Sequence, residues 1–290
     1  MGTACPPGLT RAMTILVLGA TGKTGRRIVP WLRADGVEVR AASRSGETRF
    51  DWDDRSTWAD AVRDVTAVYV VAPEEPAVIE PFVTEAVAAG AGRFVVLSGR
   101  GIDRAAEAMG PQADGSPGVF GPGMVEAERA VAASGAEWTV LRANNFDQNF
   151  SEDVWAAPVA AGRLALPMGA VGEPFVDVED VAEVAAAVLT QDGHAGRIYD
   201  VSGPESLTFA EATEVIGALT KPIEYVELTP EQYVEELVAE GYPGEFVQTL
   251  DAMFTIMRAG HLSEPADGVE QVLGRRPGSF AAYAERVFGG

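Results

Sequence analysis

The 290-residue chain has little of several things on which common classes of protein depend. With one cysteine, Cys5, and two histidines, it can form no internal disulfide and shows no metal-ligand spacing. Its 22 Lys and Arg face 43 Asp and Glu, and the net charge of −21 argues against a nucleic acid or an anionic membrane as a partner. No apolar run reaches the roughly 18 residues of a membrane span. We therefore expect a cytoplasmic protein without a bound metal.

What the chain does have is a glycine-rich turn directly after an apolar run. Residues 15–18 read Ile-Leu-Val-Leu, and Gly19, Gly22 and Gly25 follow at the spacing G-x-x-G-x-x-G. A strand that ends here and a helix that begins here leave unpaired helix N–H groups pointing into the turn, where they bind phosphate. Glycine is required because a Cβ would hold the ligand away from the backbone amides and the helix away from the sheet. We expect five residues of this turn to bind a dinucleotide: Gly19, Thr21, Gly22, Lys23 and Thr24.

The residues after the turn favour a dinucleotide over a mononucleotide. An amphipathic helix over residues 24–34 and a strand over residues 37–42 close a βαβ unit of about thirty residues, as a dinucleotide site requires. The alternative is a P-loop nucleotidase, because Gly22-Lys23-Thr24 matches the end of G-x-x-x-x-G-K-[ST]. The leading glycine of that motif would fall on residue 17, which is Val17 in the strand. The dinucleotide interpretation is therefore preferred.

The end of the second strand bears on the choice of cofactor. NAD-binding folds place an acidic residue there, whereas a basic side chain makes room for the 2′-phosphate of NADP. This chain has Ser43, Arg44 and Ser45, and no carboxylate until Glu47. A guanidinium and hydroxyl groups are good donors to phosphate. We expect Ser43 and Arg44 to contact the cofactor, and NADP(H) to be preferred over NAD(H).

The order of the predicted elements indicates the fold class. Strands and helices alternate along the first half of the chain, which is typical of a parallel sheet. We expect an α/β fold with a doubly wound, mostly parallel sheet in residues 13–150, preceded by a disordered extension over residues 1–12. Residues 151–290 are expected to form a small, mainly helical substrate-binding region, from which residues 178–201 return to the sheet.

Several residues fall at the carboxyl ends of predicted strands, where open sheets bind their ligands. Ala72 and Pro73 follow the third strand, Ser98 ends the fourth, and Asn144 follows the fifth. We expect all four to line the cofactor site. The segment 99–123, rich in glycine and proline, is predicted to be a loop over this edge and is a candidate lid.

Beyond residue 143 the chain interleaves amides with aromatic side chains in segments broken by proline and glycine. Such a wall opposite a nicotinamide suits a flat, apolar substrate. We expect five residues to contact the substrate: Asn145, Phe146, Phe150, Trp155 and Phe254. Asp180 is predicted to cap the helix that follows it, and His194 and His261 to be surface or cap residues without a catalytic role.

Four segments carry a resemblance to a known family: LGATGKTGRRIV, AERAVAASGAEWTVLRANNFDQNF, FVDVEDVAEVAAAVL and LGRRPGSFAAYAERV. Together they resemble the NmrA-like branch of the atypical short-chain dehydrogenase/reductases, from about Met13 to Phe288. Within the branch the chain is most similar to bacterial relatives of triphenylmethane reductase and of the ergot-alkaloid reductases. The resemblance implies a Rossmann domain, a small carboxyl-terminal substrate domain and NADP(H). It also implies two kinds of protein, because the branch includes regulators that bind dinucleotide without turnover.

The chain departs from the wider superfamily at the proton relay. Those enzymes use Tyr-x-x-x-Lys and a serine to donate a proton to the substrate oxygen. This chain has no Tyr-x-x-x-Lys, and the positions that align with the lysine and the serine hold Met124 and Gly99. The sequence therefore leaves the catalytic residues unassigned and disfavours the reduction of ordinary ketones.

These observations predict an NADPH-dependent reductase of a small electrophilic acceptor that is aromatic or cationic. Hydride transfer to an iminium, a quinone-like ring or a triarylmethyl cation needs no Tyr/Lys relay, and binding and orientation then supply most of the rate. A small molecule is the expected partner, and the chain is expected to be a monomer or a homodimer. Two alternatives stay open: a regulator that senses NAD(P) without turnover, and a non-redox isomerase or cyclase.

Overall fold

The computed structural model describes residues 13–105 and 120–290. The predicted extension over residues 1–12 and most of the predicted loop over residues 99–123 lie outside the described residues. The strands are β1 Thr14–Leu18, β2 Glu38–Ser43, β3 Thr48–Arg49, β4 Ala67–Val71, β5 Arg93–Gly99, β6 Glu137–Ala143, β7 Arg163–Leu166, β8 Arg197–Val201 and β9 Glu224–Glu227. The α-helices are α1 Gly25–Ala34, α2 Trp58–Val62, α3 Ile79–Ala88, α4 Pro122–Ala133, α5 Asn149–Glu152, α6 Ala156–Ala161, α7 Val178–Thr190, α8 Phe209–Leu219, α9 Pro230–Ala239, α10 Gly244–Arg258, α11 Gly268–Leu273 and α12 Phe280–Phe288.

Seven strands form one sheet in the order β3-β2-β1-β4-β5-β6-β8, and all six neighbouring pairs are parallel. The chain winds outward from β1 in both directions, because β2 pairs with one edge of β1 and β4 with the other. The switch point of the sheet is therefore at β1, where an open sheet binds its ligand. The predicted doubly wound, parallel α/β fold is confirmed.

Two short strands lie outside this sheet and pair with each other. β7 and β9 form a two-stranded parallel sheet, in which Leu164 is opposite Tyr225. A strand of four residues beside a proline-broken segment shows too little periodicity to be recognised without its partner.

The entry of α7 corrects the predicted helix cap. Asp177, in extended backbone, accepts a hydrogen bond from the N–H of Glu179 and is the cap. Asp180 lies inside the first turn, where its carboxylate accepts from the N–H of Gly278 at 2.7 Å and pairs with Arg275. The prediction for Asp180 was wrong because two acids stand three positions apart, and only the backbone path decides which of them precedes the helix.

Three clusters of buried apolar side chains support the fold. Two of them lie on the opposite faces of the seven-stranded sheet, and the third lies outside the sheet and draws on residues from Phe150 to Ala284. Neighbouring rings in the third cluster lie 4.8–6.3 Å apart, as in Phe150, Trp155, Phe175, Phe209 and Phe280. This aromatic core supports the region beyond the sheet. Among the described residues, no helix combines the length and the apolar character needed to cross a membrane.

In the turn between β1 and α1, the backbone at the start of the helix packs directly against the backbone that follows the strand. A Cβ added to Gly25 would lie 2.3 Å from the carbonyl oxygen of Gly19 and 2.7 Å from the Cα of Ala20. Real Cβ atoms do not approach other heavy atoms so closely, so any side chain at this position would push α1 away from the sheet.

Gly25→Ala is therefore expected to lower the free energy of unfolding by about 1–3 kcal/mol, the range for an overpacked site. The matched control is Gly244→Ala, because Gly244 is also the first residue of a helix and no atom lies within 4 Å of its added Cβ. Urea unfolding of the two variants and the wild type measures the difference. Equal stability of the two variants would contradict the close packing of α1 on β1.

Asp147 is a fully buried carboxyl group whose two oxygens have no hydrogen-bond partner among the described residues. Burial raises its pKa well above the usual value, and the nearby carboxylates of Asp177 and Asp180 add to this effect, while Arg286 opposes it. The folded chain therefore holds the Asp147 proton more tightly than the unfolded chain does.

Because the folded-state pKa is raised, the stabilisation is complete at low pH and is lost as the pH rises through that pKa. We expect Asp147→Asn to remove this loss, so that its Tm falls less than the wild-type Tm between about pH 5 and about pH 8. Calorimetry at a series of pH values measures the slope. Asp35→Asn, which changes an exposed carboxyl, is the control and should keep the wild-type slope. Parallel slopes for all three proteins would mean that Asp147 does not hold its proton.

Candidate functional site

The glycine turn forms a set of free backbone donors at the end of β1. Gly19 has a φ of +65°, and its carbonyl accepts from the N–H of Gly22 at 2.8 Å, which closes the turn. In the described part of the chain, the N–H groups of Thr21, Lys23 and Thr24 have no acceptor. These three donors stand beside the N-terminus of α1, where the helix dipole favours an anion. The turn thus fits the pyrophosphate of a dinucleotide.

The end of β2 carries a second set of unused donors. Ser43 is buried, and its Oγ has no hydrogen-bond partner among the described residues. Arg44 is exposed and, within the described ranges, makes no ion pair. The acid that follows it, Glu47, pairs instead with Arg33 at 2.6 Å. A buried hydroxyl beside a free guanidinium fits a phosphate group on the adenosine ribose.

A cavity of about 350 Å³ opens at the carboxyl ends of β5 and β6, within the size range of small-molecule sites. Strand-end residues Ser98, Gly99 and Asn144 form its floor. The apolar wall comes largely from α10 and the segment after β6: Phe146, Trp155, Phe246, Leu250, Met253, Ile256 and Met257. The polar lining residues are Lys23, Arg100, Asn145, Asn149, Asp153 and Glu173. Since Lys23 belongs to the glycine turn, the cavity is continuous with that turn.

The positions aligned with the proton relay both line this cavity but carry no proton donor. A Cβ on Gly99 would lie 3.7 Å from the methyl carbon of Met124, so this part of the wall is apolar. The hydroxyl of Ser98 donates to Glu128 at 2.6 Å, and Glu128 is also paired with Arg142 at 2.7 Å. The proton of Ser98 is thus directed away from a ligand.

Ion pairs connect the glycine turn to the segment beside the cavity. Lys23 Nζ donates to Asn149 Oδ1 at 2.8 Å and also pairs with Asp153. In the next turn of the helix, Arg27 pairs with Glu152 at 2.8 Å. Lys23 therefore has two protein partners, and these contacts connect the glycine turn to the segment 149–153.

The five predicted substrate residues separate into two groups. Asn145, Phe146 and Trp155 line the cavity, as expected for residues that touch a ligand. Phe150 and Phe254 do not line it, and both rings are fully buried in the aromatic core. The amide-aromatic pattern indicates which residues are near the site, but the direction of a ring depends on packing between distant segments. These two residues support the wall from behind.

The remaining predicted residues do not line the cavity. Ala72 and Pro73 directly follow β4 but are not part of the lining. The carbonyl of Pro73 packs against Gly123 of α4, where it leaves no space for a Cβ. Their contact with the cofactor stays a prediction. His194 Nδ1 lies 2.8 Å from the Tyr199 hydroxyl, and burial lowers the pKa of its ring.

Sequence reasoning missed Glu173, a 2% exposed carboxyl group in the cavity wall. Its Oε1 accepts from Asn144 Nδ2 at 2.9 Å, from the Asn145 N–H at 3.0 Å and from Asn145 Nδ2 at 3.3 Å. Burial raises the pKa of Glu173, and these donors together with the charge of Arg100 oppose the rise. The sequence signal for Glu173 is an acid between Gly172 and a proline. Most acids in such a segment are exposed to solvent, so the signal does not indicate a buried site residue.

Sequence reasoning also missed Arg100, whose guanidinium connects several segments at the cavity. Its guanidinium donates to Asn144 Oδ1 at 3.0 Å and to the carbonyl of Glu264 at 2.7 Å, and it lies 3.6 Å from Asp200. One arginine after β5 therefore fixes the side chain that follows β6 and the segment that follows α10. Nothing in the local sequence marks Arg100 for this role.

Comparison with known proteins gives relatives over nearly the whole chain. A phosphate-ester reductase of Streptomyces griseus that acts on a (4-alkanoyl-5-oxo-2,5-dihydrofuran-3-yl)methyl phosphate is 32% identical, with 93% of this chain and 96% of the relative aligned. Festuclavine dehydrogenase of Aspergillus fumigatus is 28% identical, with 94% and 97% aligned. An NAD(P)H azoreductase of Xenophilus azovorans is also 28% identical, with 93% and 96% aligned.

Solved structures share the fold. The NADPH complex of an Escherichia coli quinone oxidoreductase has a TM-score of 0.73 at 19% identity, over 94% of this chain and 99% of the other. Triphenylmethane reductase of Citrobacter sp. with NADP(H) has a TM-score of 0.72 at 19% identity, over 94% and 100%. The transcriptional regulator NmrA with NADP has a TM-score of 0.73 at 16% identity, over 96% of each chain.

The family comparison covers more than half of the chain. The profile of the NAD(P)H-binding family matches residues 19–192, which run from the glycine turn to the end of α7. The matched part holds the three free N–H donors, the residues at the end of β2 and the strand ends of the cavity. The predicted resemblance to NmrA-like proteins is confirmed, and the chain belongs to the NAD(P)H-binding family.

Proposed function

We propose that this chain is an NADPH-dependent reductase that transfers a hydride to a small electrophilic acceptor, aromatic or cationic. The observation that carries the proposal is the mostly apolar cavity that continues from the glycine turn along the ends of β5 and β6. A dinucleotide with its phosphates on the turn has its nicotinamide beside the strand ends, as in other doubly wound sheets. The acceptor then occupies the cavity against α10.

The chain contributes binding, orientation and exclusion of water. The reduced nicotinamide supplies the hydride when bound. The rings and thioethers of Phe146, Trp155, Met253 and Met257 offer a dry, adaptable surface for a flat acceptor. Holding two reactants in contact in such a site removes much of the entropic barrier to their reaction.

The relatives support reduction of an electrophile as the reaction. They include enzymes named for an azo compound, a clavine and an oxo-dihydrofuran phosphate. In our proposal the region 151–290, apart from residues 178–201, selects among such acceptors. The single cysteine supports the cytoplasm as the compartment, and we infer a monomer or a homodimer that acts on small molecules.

A regulator that binds the cofactor without turnover is the second candidate. The observation that favours it is the apolar pair Gly99 and Met124 at the relay positions. A regulator needs the glycine turn but has no need of an acceptor site. The apolar cavity favours the reductase, because a sensor of the dinucleotide gains nothing from a second ligand site.

We expect the wild type to oxidise NADPH in the presence of at least one acceptor from a panel of a quinone, an iminium and a triarylmethane dye. The loss of NADPH absorbance measures the reaction, and calorimetry with NADPH alone measures binding. The control reaction contains each acceptor and NADPH without protein. Tight binding of NADPH with no oxidation by any acceptor would support the regulator in place of the reductase.

Arg44→Ala is expected to weaken NADPH binding by about 1.5–3 kcal/mol, the range for a hydrogen bond to a charged group, and to leave NADH binding nearly unchanged. Only NADPH carries the 2′-phosphate that Arg44 would contact. Arg49→Ala is the matched control, because the Arg49 side chain is 71% exposed and pairs with Asp54. Calorimetric titration with both cofactors gives the comparison. Equal losses for NADPH and NADH would rule out a 2′-phosphate contact at Arg44.

A further inference from the structure

Two sets of backbone hydrogen bonds hold Glu173 beside the cavity. Its N–H donates to the carbonyl of Leu207 at 2.8 Å, and the N–H of Leu207 donates back at 3.0 Å. Three residues on, the N–H of Val176 donates to the carbonyl of Asn145 at 2.9 Å, so the segment 173–176 runs beside the end of β6. The carboxyl group is therefore held by the backbone on both sides, beside the strand end where the cofactor is expected.

The two oxygens of Glu173 have different surroundings. Oε1 accepts all three donations from Asn144 and Asn145, whereas no described residue donates to Oε2. A proton on this carboxyl group therefore belongs on Oε2, because Oε1 is already surrounded by N–H donors. Oε2 receives no hydrogen bond from the described residues and, because Glu173 lines the cavity, it is available to a ligand there.

The charged groups around Glu173 leave it able to hold this proton. Arg100 is the cation on the same side, and it is shared with the carbonyl of Glu264 and with Asp200. Lys23 and Asp153, the charged groups on the opposite wall, form an ion pair with each other. The lining residues of α10 carry no charge. Burial raises the pKa of Glu173, which increases the protonated fraction near neutral pH.

We propose that Glu173 is the general acid of this site and that the acceptor is a neutral conjugated carbonyl or quinone-type molecule, an assignment that rests on the proposed reductase function. The acceptor receives the hydride and its two electrons at an electrophilic carbon, and the displaced π pair moves to its oxygen. The Oε2–H bond of Glu173 breaks as the new O–H bond forms, and its electron pair stays on the carboxylate. The donors on Oε1 stabilise that carboxylate, and a proton from solvent restores the acid after the product leaves.

This role explains how the site can work without a Tyr/Lys relay. Gly99 and Met124 stand at the relay positions, and the hydroxyl of Ser98 donates to Glu128. Asp153, the other acid in the lining, has a half-exposed side chain and is paired with Lys23. Glu173 is thus the buried, unpaired acid among the described residues that line the cavity.

The test compares two acceptors in the variant Glu173→Gln, which keeps an oxygen for the Asn144 and Asn145 donors but cannot deliver the proton. With a quinone, kcat should fall by a factor of about 100 or more, the usual contribution of a general acid. With a cationic triarylmethane dye, kcat should stay close to the wild-type value, because a hydride alone neutralises the cation. The matched control is Glu205→Gln, which changes an exposed acid two residues from Leu207 and should leave both reactions unchanged.

The pH dependence gives a second readout. Wild-type kcat with the quinone should fall as the pH rises through the raised pKa of Glu173, and the variant should lack this limb. A third readout needs no turnover: the infrared difference spectrum between the wild type and Glu173→Gln should contain a protonated carboxyl band that persists above the usual glutamate pKa of about 4.3 and disappears on titration to higher pH. Subtraction of the variant removes the signal of Asp147.

The outcomes separate the two proposals. An equal loss of kcat with both acceptors in Glu173→Gln, or a carboxyl band that disappears at the usual glutamate pKa of about 4.3, would overturn the general-acid role and leave the reductase function in place. If the wild type reduces neither acceptor, the reductase function fails, and the role of Glu173 fails with it.

Discussion

The contact of α1 with the end of β1 is the constraint from which the geometry of the site follows. Gly25 lies so close to the carbonyl of Gly19 that a methyl group cannot enter. This contact directs the first N–H groups of α1 toward the ligand and brings Lys23 to the edge of the cavity. Because β1 is the switch point of the sheet, the same contact determines where a dinucleotide enters the fold.

The main effect of the charged residues of α1 is to orient neighbouring segments, and their contribution to stability is small. Arg26 and Arg27 pair with Glu152, and Arg27 also pairs with Glu179 at the start of α7. Exposed pairs of this kind contribute about 0.2–1 kcal/mol each, which is little beside the burial of three apolar clusters. Their effect is to hold the region after β6 in one orientation relative to the glycine turn, and the cavity lies between these two parts.

Two buried acids show how the same group takes different roles in one protein. No described group donates a hydrogen bond to either oxygen of Asp147, so the folded protein favours the protonated carboxyl group. Ionisation of Asp147 would destabilise the folded state. Glu173 has three donors on one oxygen and a cavity beside it, so both of its protonation states are supported. The difference lies in the neighbours and in access to a ligand, since both groups are almost completely buried. This contrast is why a site without a Tyr/Lys relay still offers a proton to an acceptor.

The sequence alone determined the features that neighbouring residues encode: the glycine turn, the parallel α/β fold and the residues at most strand ends. It also located Asn145 and Phe146 at the cavity, because they directly follow a predicted strand. Only the tertiary structure decided contacts between distant segments: that Glu173 lies beside Asn144, and that Phe150 and Phe254 point into the core. The physical reason is that periodicity and turn residues specify local backbone, whereas side-chain partners 29 or more residues apart depend on the path of the whole chain.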